Sequence, residues 1–114
     1  MNNEVSLNET ILTLLADTKV PVRYGWYDGI KENNITFFQY LEQGSNYSED
    51  EMDSEVHYFQ IDIWGYTNLE SLKSQVKNIL LANDFILVDS KDLFETEQKL
   101  FHKAIRVKIE KFIN

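Results

Sequence analysis

The sequence has no cysteine, a single proline and four glycines, and it contains no long hydrophobic run. Without cysteine there can be neither a disulfide framework nor a thiolate zinc site. The few glycines do not form a phosphate-binding loop. No segment approaches the roughly 20 apolar residues of a membrane-spanning helix. The opening residues, MNNEVSLNET, also lack the basic and apolar regions of a secretory signal. We therefore expect a soluble cytoplasmic protein without a membrane partner.

Positive charge is also scarce. The chain has 11 Lys and Arg residues against 19 Asp and Glu residues, which gives a formal net charge of −8. Because phosphate contacts need clustered Lys and Arg, this balance argues against sequence-specific binding of nucleic acid. Its 114 residues, 43% of them hydrophobic, suffice for one domain with its own core, spanning 1–114.

Two helices are predicted from capping signals and apolar spacing. Ser6 and Glu9 form a capping box in front of the first helix, and Thr67 and Glu70 form another in front of the second. The apolar stripes of the two helices follow at helical spacing: Leu7, Ile11, Leu14 and Leu15 in the first, and Leu69, Leu72, Val76, Ile79 and Leu80 in the second.

Five strands are predicted, over about 20–24, 35–41, 55–64, 85–88 and 100–113. Pro21 places the first at a sheet edge, and the continuous apolar run at 85–88 is typical of a central strand. The order is therefore α-β-β-β-α-β-β. This order predicts an α+β fold in which two helices pack on one face of a mostly antiparallel sheet of about five strands.

The strand HYFQIDIW, at 57–64, has two unequal faces. Phe59, Ile61 and Ile63 point towards the predicted core, and the other face carries Tyr58, Gln60, Asp62 and Trp64. On the last strand, Arg106 and Lys108 are predicted to face outwards in the same way. Since both helices are needed on the core face, we predict that these six residues form a protein interface. The alternative is that Trp64 is covered by the loop at 27–34.

The segment GSNYSEDEMDSE, at 44–55, is the most polar and acidic part of the chain. It is longer than a tight hairpin turn requires, so a flexible loop is predicted. Its acidic residues include Glu49, Asp50, Glu51 and Asp53, but they lack the order of a calcium-binding EF-hand loop.

Few residues suggest catalysis. His57 and His102 are the only histidines, and neither has a second metal ligand four residues away. Either histidine, with Asp62 or Glu95 nearby, would make an acid–base pair, but no nucleophile stands in a glycine-framed turn. Both histidines are therefore interpreted as surface residues, and no catalytic, cofactor or metal site is predicted.

Three segments resemble the tail-completion and tail-terminator proteins, a group of minor tail proteins, of tailed bacteriophages and prophages of Gram-positive hosts. They are VPVRYG at 20–25 after an N-terminal helix, the strand and helix start YFQIDIWGYTNLESL at 58–72, and LFHKAIRVKIEKF at 100–112. Together they cover nearly the whole chain. One difference lies at 34–37, where this chain has Asn-Ile-Thr-Phe and relatives often carry a proline–aromatic pair. The resemblance therefore leaves a terminator and a head-side connector both open.

The resemblance implies a structural protein rather than an enzyme. Its members form a ring, commonly a hexamer, that caps the tail tube, stops its polymerisation and allows heads and tails to join. The partners implied are further copies of the chain, the tail tube protein and the head–tail connector. The locations implied are the host cytoplasm during assembly and the tail or neck of the mature virion.

A second interpretation is a small acidic inhibitor or DNA mimic that occupies a basic cleft on a nucleic-acid enzyme. It would explain the net charge of −8. It would not explain Trp64, nor the basic residues Arg106 and Lys108 on the outer face of the last strand.

Overall fold

A computed structural model describes residues 6–48 and 51–112, and the side chains of all of these except 45–48 and 51–53. The elements, in chain order, are α1 (Leu7–Leu15), a 3-10 turn (Ala16–Thr18), β1 (Val22–Tyr24), β2 (Asn34–Ser48), β3 (Glu51–Gly65), α2 (Glu70–Leu81), β4 (Ile86–Glu95) and β5 (Leu100–Phe112). This order confirms the predicted α-β-β-β-α-β-β arrangement.

The strands form one sheet in the order β1-β2-β3-β5-β4. β1 pairs in parallel with β2, and all other neighbours are antiparallel. The first strand lies at a sheet edge, as predicted, but β1 begins after Pro21 and does not contain it. The central position predicted for 85–88 is wrong, because β4 is the other edge. Phe85 is buried, but Ile86 and Val88 are 55% and 43% exposed.

The core lies between one face of the sheet and both helices. Phe59, Ile61 and Ile63 of β3 are fully buried, as predicted. They belong to one cluster with residues of both helices, the neighbouring strands and the start of β4: Ile11, Leu15, Ile35, Phe37, Leu69, Val76, Leu80, Phe85, Ile105 and Val107. In the described residues no helix is long and apolar enough to cross a membrane.

The two helix starts differ in how well the sequence predicts them. Ser6 Oγ accepts a hydrogen bond from Glu9 N at 3.1 Å, as the first capping box predicts. The prediction that Thr67 caps the second helix is wrong. Instead, Asn68 Oδ1 accepts from Glu70 N at 2.8 Å, which satisfies one of the unpaired amides at the start of α2.

β2 and β3 form a hairpin whose strands are each 15 residues long. The predicted loop at 44–55 is therefore wrong in its secondary structure: the strands continue through it, with Gly44 opposite Glu55 and Ser48 opposite Glu51. Ladder pairing that starts in a packed sheet overrides the weak strand propensity of polar residues. Of the four acidic residues named above, those at 49 and 50 lie outside the described residues. Those at 51 and 53 belong to β3. The mobility of this segment stays a prediction.

Candidate interaction surface on the open face of the sheet

The face of the sheet opposite the helices, here called the open face, brings together the residues predicted to form an interface. Register places Tyr58 opposite Lys108 and Gln60 opposite Arg106, while Trp64 lies opposite His102. Strand alternation thus puts all six predicted residues (Tyr58, Gln60, Asp62, Trp64, Arg106 and Lys108) on one surface. Their role as an interface stays a prediction.

Two basic side chains of the open face lie over aromatic rings. The Arg106 guanidinium carbon is 5.0 Å from the centre of the Tyr40 ring, and Lys108 Nζ is 6.0 Å from that of Tyr58. Arg106 Nε also donates to Gln60 Oε1 at 3.1 Å. Burial raises the pKa of the Tyr40 hydroxyl, although the charge of Arg106 opposes this shift. The open face therefore contains two cation–aromatic contacts, and Arg, Tyr and Trp are the residues that most often dominate binding energy at interfaces.

Trp64 is held by its own chain. Its indole stacks on Tyr27 at 4.8 Å between ring centres and on His102 at 3.8 Å. Its Nε1 donates to Thr36 Oγ1 at 3.0 Å. The loop that follows β1 therefore covers Trp64, as the alternative interpretation of the sequence held. Burial and the neighbouring Tyr66 hydroxyl raise the pKa of the covering Tyr27.

His102 lies beneath Trp64 and is buried, so its interpretation as a surface histidine is wrong. The residue is only 8% exposed. Its Nε2 is 2.6 Å from Asp62 Oδ1, and its Nδ1 is 3.2 Å from Glu95 Oε2. The structure thus brings together both carboxylates that the sequence suggested as partners. These contacts supply carboxylates and an indole but no nucleophile, so the arrangement is suited to hydrogen bonding.

Sequence reasoning missed Trp26. Its side chain is 71% exposed, and its ring stacks on Phe38 at 5.4 Å between centres and 19° between planes. Phe38 belongs to the open face, because its neighbour Phe37 points into the core. The consecutive pair Phe37-Phe38 was the available signal, since it indicated that something must cover the second ring.

The sheet has apolar side chains along its β4 edge as well. Leu93 and Phe94 are 41% and 50% exposed, and Phe94 packs edge-on against Phe101 of β5 at 5.2 Å. Next to them, Lys103 Nζ contacts Glu70 Oε2 at 2.5 Å and Asp92 Oδ1 at 3.0 Å. Burial would lower the pKa of Lys103, but these two carboxylates outweigh it and raise the pKa.

No protein-family model matches the chain, and no curated protein matches it. Among solved structures, the fold is similar to a chain from the structure described as the virion of native gene transfer agent (GTA) particle. The TM-score is 0.65, with 93% of this chain and 96% of that chain covered, at 14% sequence identity. At this identity the likeness shows that the two chains share a fold over nearly their whole lengths.

Proposed function

We propose that this protein is a structural component of a phage-like particle and forms a ring at the end of the tail tube. There it stops the addition of tube subunits and lets the head dock. The observation that carries the proposal is the fold shared, over 93% of this chain, with a chain from a gene transfer agent virion. The sequence resemblance to tail-completion proteins supports the same role independently. As in that family, a hexamer of the chain would contact the tube protein on one side and the head connector on the other.

The two edges of the sheet are suited to a ring. Only three residues of β2 pair with β1, at Ile35, Thr36 and Phe37, so the remainder of that strand has no neighbour on its outer side within the described residues. Among the residues that the structure describes, β4 has no neighbouring strand on its outer side either. Different surfaces on opposite sides of one subunit make a head-to-tail contact, and such contacts close into rings when the rotation between subunits allows it. Pairing would also remove edges that otherwise promote aggregation.

The open face and its exposed aromatic residues extend this contact surface. Trp26 is exposed, and Arg106 and Lys108 lie over tyrosines. A DNA mimic needs a surface dominated by carboxylates, whereas on this face Arg106 and Lys108 lie among the carboxylates of Asp62, Asp89 and Glu95. The open face therefore supports contact with protein.

Self-association is the first test. We expect the molar mass from light scattering to rise above that of the monomer, 13.5 kDa, across a concentration series. Trp26→Ala, together with Arg106→Ala, should reduce this rise. Leu81→Ala is a matched control, because Leu81 is a 42% exposed apolar residue on α2. An equal effect of the control variant would argue against the open face as the interface.

The role in the particle requires a genetic test. Deleting the gene should leave heads that fill with DNA, beside tails that are overlong or fail to join. Supplying the protein in trans should restore joining, and the Trp26 and Arg106 variant should restore it poorly. Normal infectious particles from the deletion strain would refute the tail role. Heads that leak DNA beside tails of normal length would instead indicate a head-side connector.

A further inference from the structure

In the β2–β3 hairpin, a second histidine lies among carboxylates on the helix-facing side of the sheet. Glu42 of β2 lies directly opposite His57 of β3, and Glu55 precedes His57 by two residues on the same face. One ligand atom from each of the three residues lies within 4.8 Å of the others. This group was not predicted from the sequence, because its members come from two strands and do not share a helical spacing.

His57 is buried and one of its ring nitrogens has no hydrogen-bond partner, so its interpretation as a surface residue is also wrong. The residue is 8% exposed, and its Nδ1 makes no hydrogen bond. This nitrogen lies 3.7 Å from Glu42 Oε1, while Nε2 lies 3.1 Å from Glu55 Oε1. A buried polar atom without a partner costs stability, and here it points towards an oxygen ligand of the same group.

We propose that Glu42, Glu55 and His57 bind a divalent transition-metal ion of the zinc class. Imidazole and carboxylate together suit Zn²⁺, whereas Ca²⁺ and Mg²⁺ prefer oxygen ligands alone. Ligand atoms around a tetrahedral zinc ion lie roughly 3.3 Å apart, and the distance from His57 Nε2 to Glu55 Oε1, 3.1 Å, is close to this value.

Binding requires only a small rearrangement of an accessible side chain. The ion takes Nε2 of His57, which lies beside Glu55. The Glu42 side chain, which is 49% exposed and lies beside Nδ1, turns towards the ion to complete the group. Gln39 Nε2 donates to Glu42 Oε1 at 3.4 Å and orients this carboxylate. Lys111 is the cross-strand neighbour of Glu55, so one positive charge borders a site that contains two carboxylates.

The other buried histidine provides a contrast within the same molecule. At His102, as at His57, the two carboxylates lie beside different ring nitrogens. In the part of the chain that the structure describes, the His57 group is the one set of three such ligands. His102→Asn is therefore a matched control for His57→Asn.

Metal binding would join β2 to β3 where the hairpin passes the start of α1. A small cavity at this point is lined by Ser6, Leu7, Asn8, Gln39, His57 and Lys111. An ion bound by Glu42, Glu55 and His57 would reduce the motion of β2 relative to β3.

The test is calorimetric titration of the full chain with ZnCl₂, accompanied by thermal unfolding and by NMR of the imidazole nitrogens. We expect one ion per chain, a higher unfolding temperature and a shifted nitrogen signal of His57. His57→Asn and Glu42→Gln should each weaken binding at least about tenfold, while His102→Asn should leave it unchanged. Glu42→Gln changes an accessible side chain and keeps the test valid if His57→Asn unfolds. Absence of zinc binding up to about 1 mM, or binding unchanged by both variants, would overturn the proposal.

Discussion

Replacing Trp64 with alanine should cost the fold about 2–4 kcal/mol of unfolding free energy. The variant loses two ring stacks, each worth about 0.5–1.5 kcal/mol beyond the area that it buries. It also loses the hydrogen bond to Thr36 Oγ1, worth about 1 kcal/mol, and leaves that hydroxyl unpaired in a fully buried residue. These terms are not additive. Full truncation of a core tryptophan costs about 3–5 kcal/mol. Because Trp64 is only half-buried, we expect a somewhat smaller loss of unfolding free energy.

Urea denaturation followed by circular dichroism measures this loss, at protein concentrations below those that cause association. Trp26→Ala is the matched control, because that indole is 71% exposed and stacks on one ring only. We expect it to change stability by less than about 1 kcal/mol. A loss below about 1 kcal/mol for Trp64→Ala, or equal losses for both variants, would refute the assignment of Trp64 to the fold and of Trp26 to the surface.

Two further predictions concern the region around α2. Gly65→Ala should destabilise the protein by about 1–3 kcal/mol, measured from the urea midpoint, because a Cβ there would lie 2.2 Å from Asn33 Oδ1 and 2.8 Å from Leu69 Cδ2. Asp92→Asn should reduce the loss of unfolding free energy as the pH falls. The hydrogen bond from Lys103 lowers the pKa of Asp92 in the folded protein. Its stabilisation is therefore present above the unfolded pKa of about 3.9 and is lost as the pH falls through the lower, folded value. Urea midpoints of the wild type and the variant from about pH 2 to 7 measure this difference, and parallel curves would contradict it.

The sequence predicts the architecture well where one physical signal dominates. The alternation of Phe59, Ile61 and Ile63 identifies the buried face of β3, and helical spacing identifies the buried sides of α1 and α2. In each case the signal is local and does not depend on what packs nearby.

The errors arise where distant residues decide the outcome. An apolar run such as Phe85–Val88 suits a buried strand, but its place at the sheet edge follows from the pairing of β5 with β3. Similarly, His102 is covered by the Trp64 ring, and the carboxylates of Asp62 and Glu95 lie beside its ring nitrogens. Composition alone predicts solvent exposure for a histidine on the outer side of a strand. Cross-strand neighbours are set by register, which a single sequence does not reveal.

The hairpin connections of this sheet also determine how costly its contacts are to form. β2 and β3 are separated by two residues, and β4 and β5 by the short turn at 96–99. Closing such short loops costs little conformational entropy, whereas joining β3 to β5 requires closure of a segment that includes α2 and β4. The topology thus divides the chain into two locally paired halves, and the β3–β5 ladder joins them. The contacts of this central ladder should therefore form late in folding. Substitutions there, at Ile61 or Ile105 for example, should change the folding rate little and chiefly accelerate unfolding.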